Sequence, residues 1–261
     1  MTVPSSHPRP ARHAEFRFYE ELNDFLPENR RKVSFTYRFH GTPSVRDAIQ
    51  ALGVPHTAID LVLVDGRSVD FAHRLEGGEQ VSVYPVFERL DISPLVRLRP
   101  RPLRDTRFVA DVHLGRLARY LRMLGFDTLH EPGGSKDNVI ETALRDGRII
   151  LTRDVGILKR SRVTHGYWLR HQQPLDQLRE VVGALDLQTQ ARPFTRCMEC
   201  NGLLRPIDRR QLAGRVEEAI LARFETYREC PDCSRVFWKG SHFHRMLRWV
   251  RTVAPEARVE P

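Results

Sequence analysis

The stretch RFVADVHLGRLARYLRMLGFD, residues 107–127, switches pattern twice in a short span. Arg107 to Ala110 reads as a short apolar strand that stops at Asp111. Leu114, Leu117, Ala118, Leu121 and Leu124 then recur at helical spacing, and Gly125 ends the helix. Phe126 to His130 returns as a strand. The alternation continues downstream. Ser135 caps a helix with Val139, Ile140, Ala143 and Leu144 turned inward, Gly147 ends it, and Ile149, Ile150 and Leu151 make a β-branched buried strand. Tyr167 to Leu169 gives a fourth strand, and Pro174 opens a helix bearing Leu175, Leu178, Val181, Val182 and Leu185. Strands alternating with helices imply right-handed crossovers and a largely parallel sheet flanked by helices, an α/β fold.

In an open parallel sheet, ligands bind at the carboxyl ends of the strands. Asp111 and Asp154 each follow a buried strand, and Asp137 opens the intervening helix with Glu141 on its face one turn later. If the two strands are neighbours, these carboxylates converge. They would raise one another's pKa unless a cation sat among them, and Mg²⁺ or Mn²⁺ suits oxygen ligands. Such a site can activate a water against a phosphodiester. Taken one at a time the acids also suit ordinary caps and dipole partners, Asp137 most of all.

Further along, Cys197-Met198-Glu199-Cys200 and Cys230-Pro231-Asp232-Cys233 are two CxxC knuckles. Two such turns complete the closed tetrahedral Cys₄ shell of a structural zinc, which leaves no position open for catalysis. Isolated finger peptides gain roughly 10 to 16 kcal/mol from zinc, enough to organise a segment with little core. Redox or disulfide roles remain the alternative reading of paired cysteines.

Upstream, Phe16 and Phe18 alternate with polar neighbours, and Val33, Phe35, Tyr37 and Phe39 repeat the alternation. Ser44 caps a helix with Val45, Ala48, Ile49 and Leu52 on one face, and Leu61 to Val64, the Asp65-Gly66 turn and Val81 to Val86 supply more strands. This order is that of a small α+β domain. The expected organisation is a disordered tail over 1–14, the α+β domain over 15–90, a Pro- and Arg-rich linker over 91–106, the α/β domain over 107–192, and the zinc ribbon with a C-terminal helix over 193–261.

With 42 Lys and Arg against 33 Asp and Glu, the net charge of +9 favours a polyanionic partner such as RNA. Arg116, Arg119 and Arg122 recur every three residues opposite the leucine face and read as a phosphate track or as a solvated helix face. Lys159, Arg160 and Arg162 follow Asp154, and Lys239, Arg245 and Arg248 follow the ribbon among the aromatics Phe237, Trp238, Phe243 and Trp249, which could stack on bases or pack in a core. No apolar run is long enough to span a bilayer and the start carries no signal-peptide pattern, so a cytoplasmic location is expected.

Residues 107–127, the run Gly147 to Asp154 and the paired knuckles together resemble the Mut-7 C-terminal RNase family, described as a PIN-like domain with a zinc ribbon. The resemblance covers residues 107–250 and implies a metal-dependent ribonuclease whose acidic set falls on Asp111, Asp137 and Asp154. Residues 15–90 are similar to the ubiquitin-like β-grasp domain fused in front of it, which is related to sulfur carriers. Those carriers end in a free Gly-Gly tail, whereas Gly77-Gly78 here precedes the last strand, so a docking role, with a protein partner or RNA, is the expectation. Two competing functions remain: a non-catalytic RNA-binding protein, and a protein-interaction adaptor using the β-grasp domain.

Overall fold

The structure, a computed structural model, describes residues 11–85, 98 and 106–259. The chain forms two compact units. One comprises the described residues of Met1–Pro102 together with Val155–Gly166, the other those of Leu103–Asp154 and Tyr167–Pro261.

In chain order the first unit contains β1 (Arg12–Phe18), β2 (Phe35–Phe39), α1 (Val45–Ala51), β3 (Ile59–Val64), β4 (Arg67–Ser68) and β5 (Gln80–Pro85). The sheet order is β2-β1-β5-β3-β4, with β1 parallel to β5 and the other neighbours antiparallel. This is a ubiquitin-like arrangement. Period-two patterning explains its core: Ala14, Phe16 and Phe18 on β1 and Val81 and Val83 on β5 are buried under Val45, Ala48 and Ile49 of α1. The helix starts where it does because Ser44 Oγ accepts from the Asp47 backbone N–H while the Asp47 carboxylate accepts from the Ser44 N–H, a closed capping box. Gly77 and Gly78 form the turn into β5, within the fold.

Two boundaries differ from the sequence reading. The strand begins at Arg12 rather than after residue 14, because Ala14 is fully buried and pairs with Tyr37 across β1 and β2. Val33 lies before β2 and is exposed, so only Phe35, Tyr37 and Phe39 carry the expected alternation. Residues 1–10 of the expected tail, Val86 of the last expected strand, and most of the expected linker lie outside the described residues.

The segment Val155–Gly166, which the sequence boundaries assign to 107–192, groups with this first unit. Arg46 Nη2 donates to Ser161 O at 3.2 Å, Gln50 Nε2 to Lys159 O at 3.3 Å, and Lys159 Nζ to Gln50 O at 3.2 Å. His56 Nε2 lies 2.9 Å from Val163 O.

The second unit is built on β6 (Arg107–Ala110), α2 (Gly115–Met123), β7 (Asp127–His130), α3 (Lys136–Asp146) and β8 (Ile149–Thr152). After α4 (Val155–Leu158) come β9 (Gly166–Trp168) and α5 (Pro174–Ala184), with Pro174 in the first turn where its missing N–H costs nothing. The sheet order is β7-β6-β8-β9, and β6 is parallel to both β7 and β8. Phe108, Ala110 and Leu151 from the sheet meet Leu117, Ala118 and Leu121 of α2 and Leu178, Val181 and Val182 of α5. Leu144, read as inward on α3, is exposed, because the helix turns Val139, Ile140 and Ala143 to the sheet instead.

The chain then forms β10 (Arg205–Ile207), α6 (Glu218–Arg223), β11 (Tyr227–Glu229), β12 (Val236–Trp238) and α7 (Ser241–Val253). The strands β10-β11-β12 make a small antiparallel sheet over Leu212, Leu221 and Tyr227. Val250, Val253 and Ala254 at the end of α7 join the core of the parallel sheet, so ribbon and sheet belong to one body. Among the described residues no helix is long and apolar enough to cross a membrane.

Gly125, which ends α2 at φ +91°, tests this packing. A Cβ there would stand 2.1 Å from Arg192 O. Gly125→Ala should therefore cost more than about 2 kcal/mol from strain and overlap together. Gly133→Ala, also at positive φ but with open space around it, should cost about 1 kcal/mol. Chemical denaturation of both variants checks the ratio; equal losses would mean that the contact with Arg192 is soft.

Candidate functional site

Parallel pairing of β6 with β8, in the register Phe108↔Ile149, Val109↔Ile150, Ala110↔Leu151, brings the residues after each strand to one end of the sheet. Asp111 is buried there, and a buried carboxylate must be hydrogen-bonded to remain ionised cheaply. Thr152 Oγ1 donates to Asp111 Oδ2 at 2.7 Å, and the Val112 N–H donates to Oδ1 at 2.7 Å. The same Thr152 hydroxyl accepts from the Asp154 N–H at 2.9 Å. One hydroxyl thus ties the Asp111 carboxylate to the Asp154 main chain. His130, at the end of β7, places Nε2 3.0 Å from Val112 O and fixes the loop that follows Asp111.

The other acids stand differently. Asp137 is exposed in the first turn of α3, and Glu141 is exposed one turn on, where its charge acts on Arg145. Lys136 Nζ forms an ion pair with Asp154 Oδ2. Sequence reasoning missed this lysine, although a signal was present: a cation in the first turn of a helix opposes the helix dipole and needs a partner elsewhere. Thr152 was missed as well, since a threonine at a strand end is ordinary β-former chemistry. The acids Asp111, Asp137, Asp154 and Glu141 form no group of three or more with ligand atoms as close together as those of the cysteines described next, among the described residues.

The four sulfurs of Cys197, Cys200, Cys230 and Cys233 all lie within 4.8 Å of one another. Cys197 Sγ is 3.7 Å from Cys233 Sγ, and Cys200 Sγ is 3.2 Å from Cys230 Sγ. A zinc ion with bonds of about 2.3 Å to four sulfurs at tetrahedral corners separates them by about 3.8 Å, so the cluster could hold zinc. The two knuckles repeat one geometry. The Asn201 N–H donates to Cys197 O at 3.0 Å and the Ser234 N–H to Cys230 O at 2.8 Å, with both residues at positive φ. Gly202 permits the approach, because a Cβ there would fall 2.2 Å from Asp232 Oδ2 and 2.9 Å from Cys230 Sγ. Desolvation of the sulfur, opposed by the Gly202 N–H and reinforced by the neighbouring thiols, pushes the Cys200 thiol up to about 12, although the residue as a whole is exposed. Thiols so crowded ionise together only around a cation.

The first knuckle is anchored to the parallel sheet through polar groups. Asn201 Oδ1 accepts from the Thr128 N–H at 2.9 Å while its Nδ2 donates to Asp127 Oδ1 at 2.8 Å. Arg148 Nη1 donates to the same Asp127 oxygen at 2.6 Å. Burial alone would raise the Asp127 pKa, but the bonds from Arg148 and Asn201 outweigh it and hold the carboxyl below its ordinary range.

Of the arginine track expected on α2, Arg116 and Arg119 are exposed and Arg122 is not. Arg122 is buried, donating through Nε to Thr128 O at 2.8 Å and through Nη1 to Met198 O at 3.1 Å and Glu199 O at 2.6 Å. These bonds make it a prop under the first knuckle. Arg119 Nη2 pairs with Glu199 Oε1 at 2.5 Å, and Arg116 is exposed. The aromatics behind the ribbon are also engaged: Phe243 packs on Phe194, Trp249 meets Tyr120 edge to face, and Trp238 packs on the small ribbon core.

A family model described as Mut7-C RNAse domain matches residues 106–250, and one described as Mut7-C ubiquitin matches residues 11–91. No curated protein and no solved structure matches the chain.

Two outcomes follow from the anchoring. Arg122→Met should cost about 1 to 3 kcal/mol by leaving the buried Thr128 carbonyl and the part-buried carbonyls of Met198 and Glu199 without their donor, and should speed the release of bound metal to a colorimetric chelator; unchanged release would mean that Arg122 does not steady the knuckle. Asp127, with its folded pKa depressed, adds stability above its ordinary value of 3.8 that is lost as pH falls through the folded value. Asp127→Asn should flatten the acid limb of the stability profile, as read by denaturation at stepped pH.

Proposed function

Because the chain belongs to the Mut7-C RNAse domain family, we propose that it is a metal-dependent ribonuclease hydrolysing RNA phosphodiester bonds at the carboxyl end of the β6–β8 pair. The observation that carries this reading is the Thr152 hydroxyl joining the Asp111 carboxylate to the Asp154 main chain. A carboxylate offers about four lone-pair positions. Two on Asp111 are taken by Thr152 and Val112, which leaves capacity for a cation.

Mg²⁺ or Mn²⁺ suits this donor set, since Mg²⁺ keeps several waters and takes one or two carboxylates together with substrate phosphate. When bound, such an ion supplies an activated water and stabilises charge on the leaving oxygen. Asp111 and Asp154 are the principal ligands in this reading. Asp137 extends the set from α3, and Glu141 assists from the next turn. Lys136, which pairs with Asp154, would hold a non-bridging phosphate oxygen if an ion occupied that carboxylate. Arg116 meets the RNA backbone from the exposed side of α2. Zinc is the ion proposed for the four cysteines, in a structural role. For the ubiquitin-like domain we propose a protein-docking role, since Gly77 and Gly78 lie in a turn and not at a reactive end.

Purified protein is expected to cleave RNA with added Mn²⁺ or Mg²⁺, and Asp154→Asn to lower the rate by about 100-fold or more with an unchanged circular dichroism spectrum. Equal cleavage by the variant would assign the activity to another site. RNA binding without cleavage at any metal concentration would identify a non-catalytic RNA-binding protein instead. Elemental analysis should find about one zinc per chain, lost in Cys230→Ser.

A further inference from the structure

α7 has the sequence Ser241-His242-Phe243-His244-Arg245-Met246-Leu247-Arg248-Trp249-Val250-Arg251-Thr252-Val253, without a single acidic residue. At 100° per residue, His244, Arg245, Arg248, Arg251 and Thr252 fall on one side, and all five are exposed. The opposite side is spent on packing: Val250 and Val253 are buried in the main core, Met246 lies against it, Trp249 meets Tyr120, and Phe243 packs on Phe194.

The three arginines have no ion pair among the described residues; Arg245 Nη2 lies 2.8 Å from His242 Nδ1, which is no counter-charge. This sets α7 apart from α2, where Arg119 is neutralised by Glu199 and Arg122 is buried. An uncompensated row of guanidinium groups repels itself, and the repulsion is relieved by a polyanion whose charges recur along a line. Successive arginines advance about 4.5 Å along the helix axis, and each can grip a phosphate at two points.

We propose that the exposed face of α7 docks the phosphate backbone of a base-paired RNA segment, with Arg245, Arg248 and Arg251 as the phosphate ligands. The proposal rests on the ribonuclease reading for the choice of RNA. Base pairing is inferred from the make-up of the face: its exposed side chains are cationic or polar, and the neighbouring Phe243 and Trp249 are half-buried and engaged with Phe194 and Tyr120 rather than free to stack on unpaired bases, while cations alone suffice to follow a duplex backbone. A lipid surface is disfavoured because the apolar side of α7 is buried in the fold and cannot enter a bilayer.

The test uses the full-length protein and the variant Arg245→Gln/Arg248→Gln/Arg251→Gln. Glutamine has nearly the helix propensity of arginine, so α7 should persist, which circular dichroism checks. Binding to a short RNA duplex and to a single strand of equal length is followed against salt without added Mg²⁺ or Mn²⁺. Wild type should prefer the duplex. The variant should bind it about 10- to 100-fold more weakly at about 0.1 M salt, with a log–log salt slope shallower by about 2 to 3, near 0.9 per lost phosphate contact. Unchanged affinity and slope in a folded variant would overturn the proposal. So would preference for the single strand, or displacement of RNA by polyglutamate at equal charge concentration. If wild type never cleaves RNA but duplex binding needs the arginines, the nuclease reading falls and this surface stands. If the variant binds and cleaves like wild type, the surface falls and the nuclease reading stands.

Discussion

Parallel pairing of β6 with β8 is the constraint on which the candidate site depends. Both strands are apolar and covered on both sides, so their only outlets to polar chemistry are their ends. Because parallel strands point the same way, the residues that follow them emerge together, and Asp111 and Asp154 share one sheet end. A buried carboxylate is costly unless bonded, and Thr152 meets that need while its hydroxyl also receives the Asp154 N–H. The side chain that makes Asp111 tolerable in the fold is also the one that orients its partner.

The four-cysteine ribbon solves a different problem for the same sheet. Arg122 projects into the interior beneath the first knuckle, where its charge must be met by acceptors. Those acceptors are the carbonyls of Met198 and Glu199, inside the Cys197–Cys200 turn, joined by Thr128 O on β7. Asn201 reaches back from the same turn to Thr128 and Asp127. The knuckle thus acts as a wall of the α/β core, and holding its shape holds α2 and β7 in turn. Four thiolates around one divalent ion would carry net negative charge, which a buried guanidinium beside them would offset.

Much of this was legible in the sequence, for local reasons. Ser44 and Ser135 act as caps, Gly125 and Gly147 end helices at positive φ, and the CxxC spacing gathers four sulfurs. The far end of the arginine stripe is buried because three residues cover only about 300° of helix turn and the first knuckle packs over the side to which the row drifts. A row at i, i+3, i+6 drifts by about 120°, and one that starts in solvent at Arg116 winds under the surface by Arg122. Lys136 was hidden because its partner lies in another segment, across a βα crossover. Val155–Gly166 looked like part of the α/β repeat by sequence position, yet its hydrogen bonds run to Arg46, Gln50 and His56, more than 100 residues away in sequence. Periodicity reports which face of an element is buried, and says nothing of which body buries it.

A nuclease site built on carboxylates repels the phosphate that it must process. Binding energy for the substrate has to come from cations set apart from the acids, or the acids would be neutralised by their own helpers. In the proposed site Lys136 would be such a helper, and its pairing with Asp154 illustrates the cost of keeping a cation close. On α7 the opposite arrangement holds: Arg245, Arg248 and Arg251 have no acid on their helix to compete with a phosphate. On α2 Arg122 is buried and Arg119 is paired with Glu199, which leaves Arg116 as its exposed arginine without an ion pair among the described residues. If the acids cut RNA and α7 holds it, as proposed, separating the two sets lets each keep the charge its task requires.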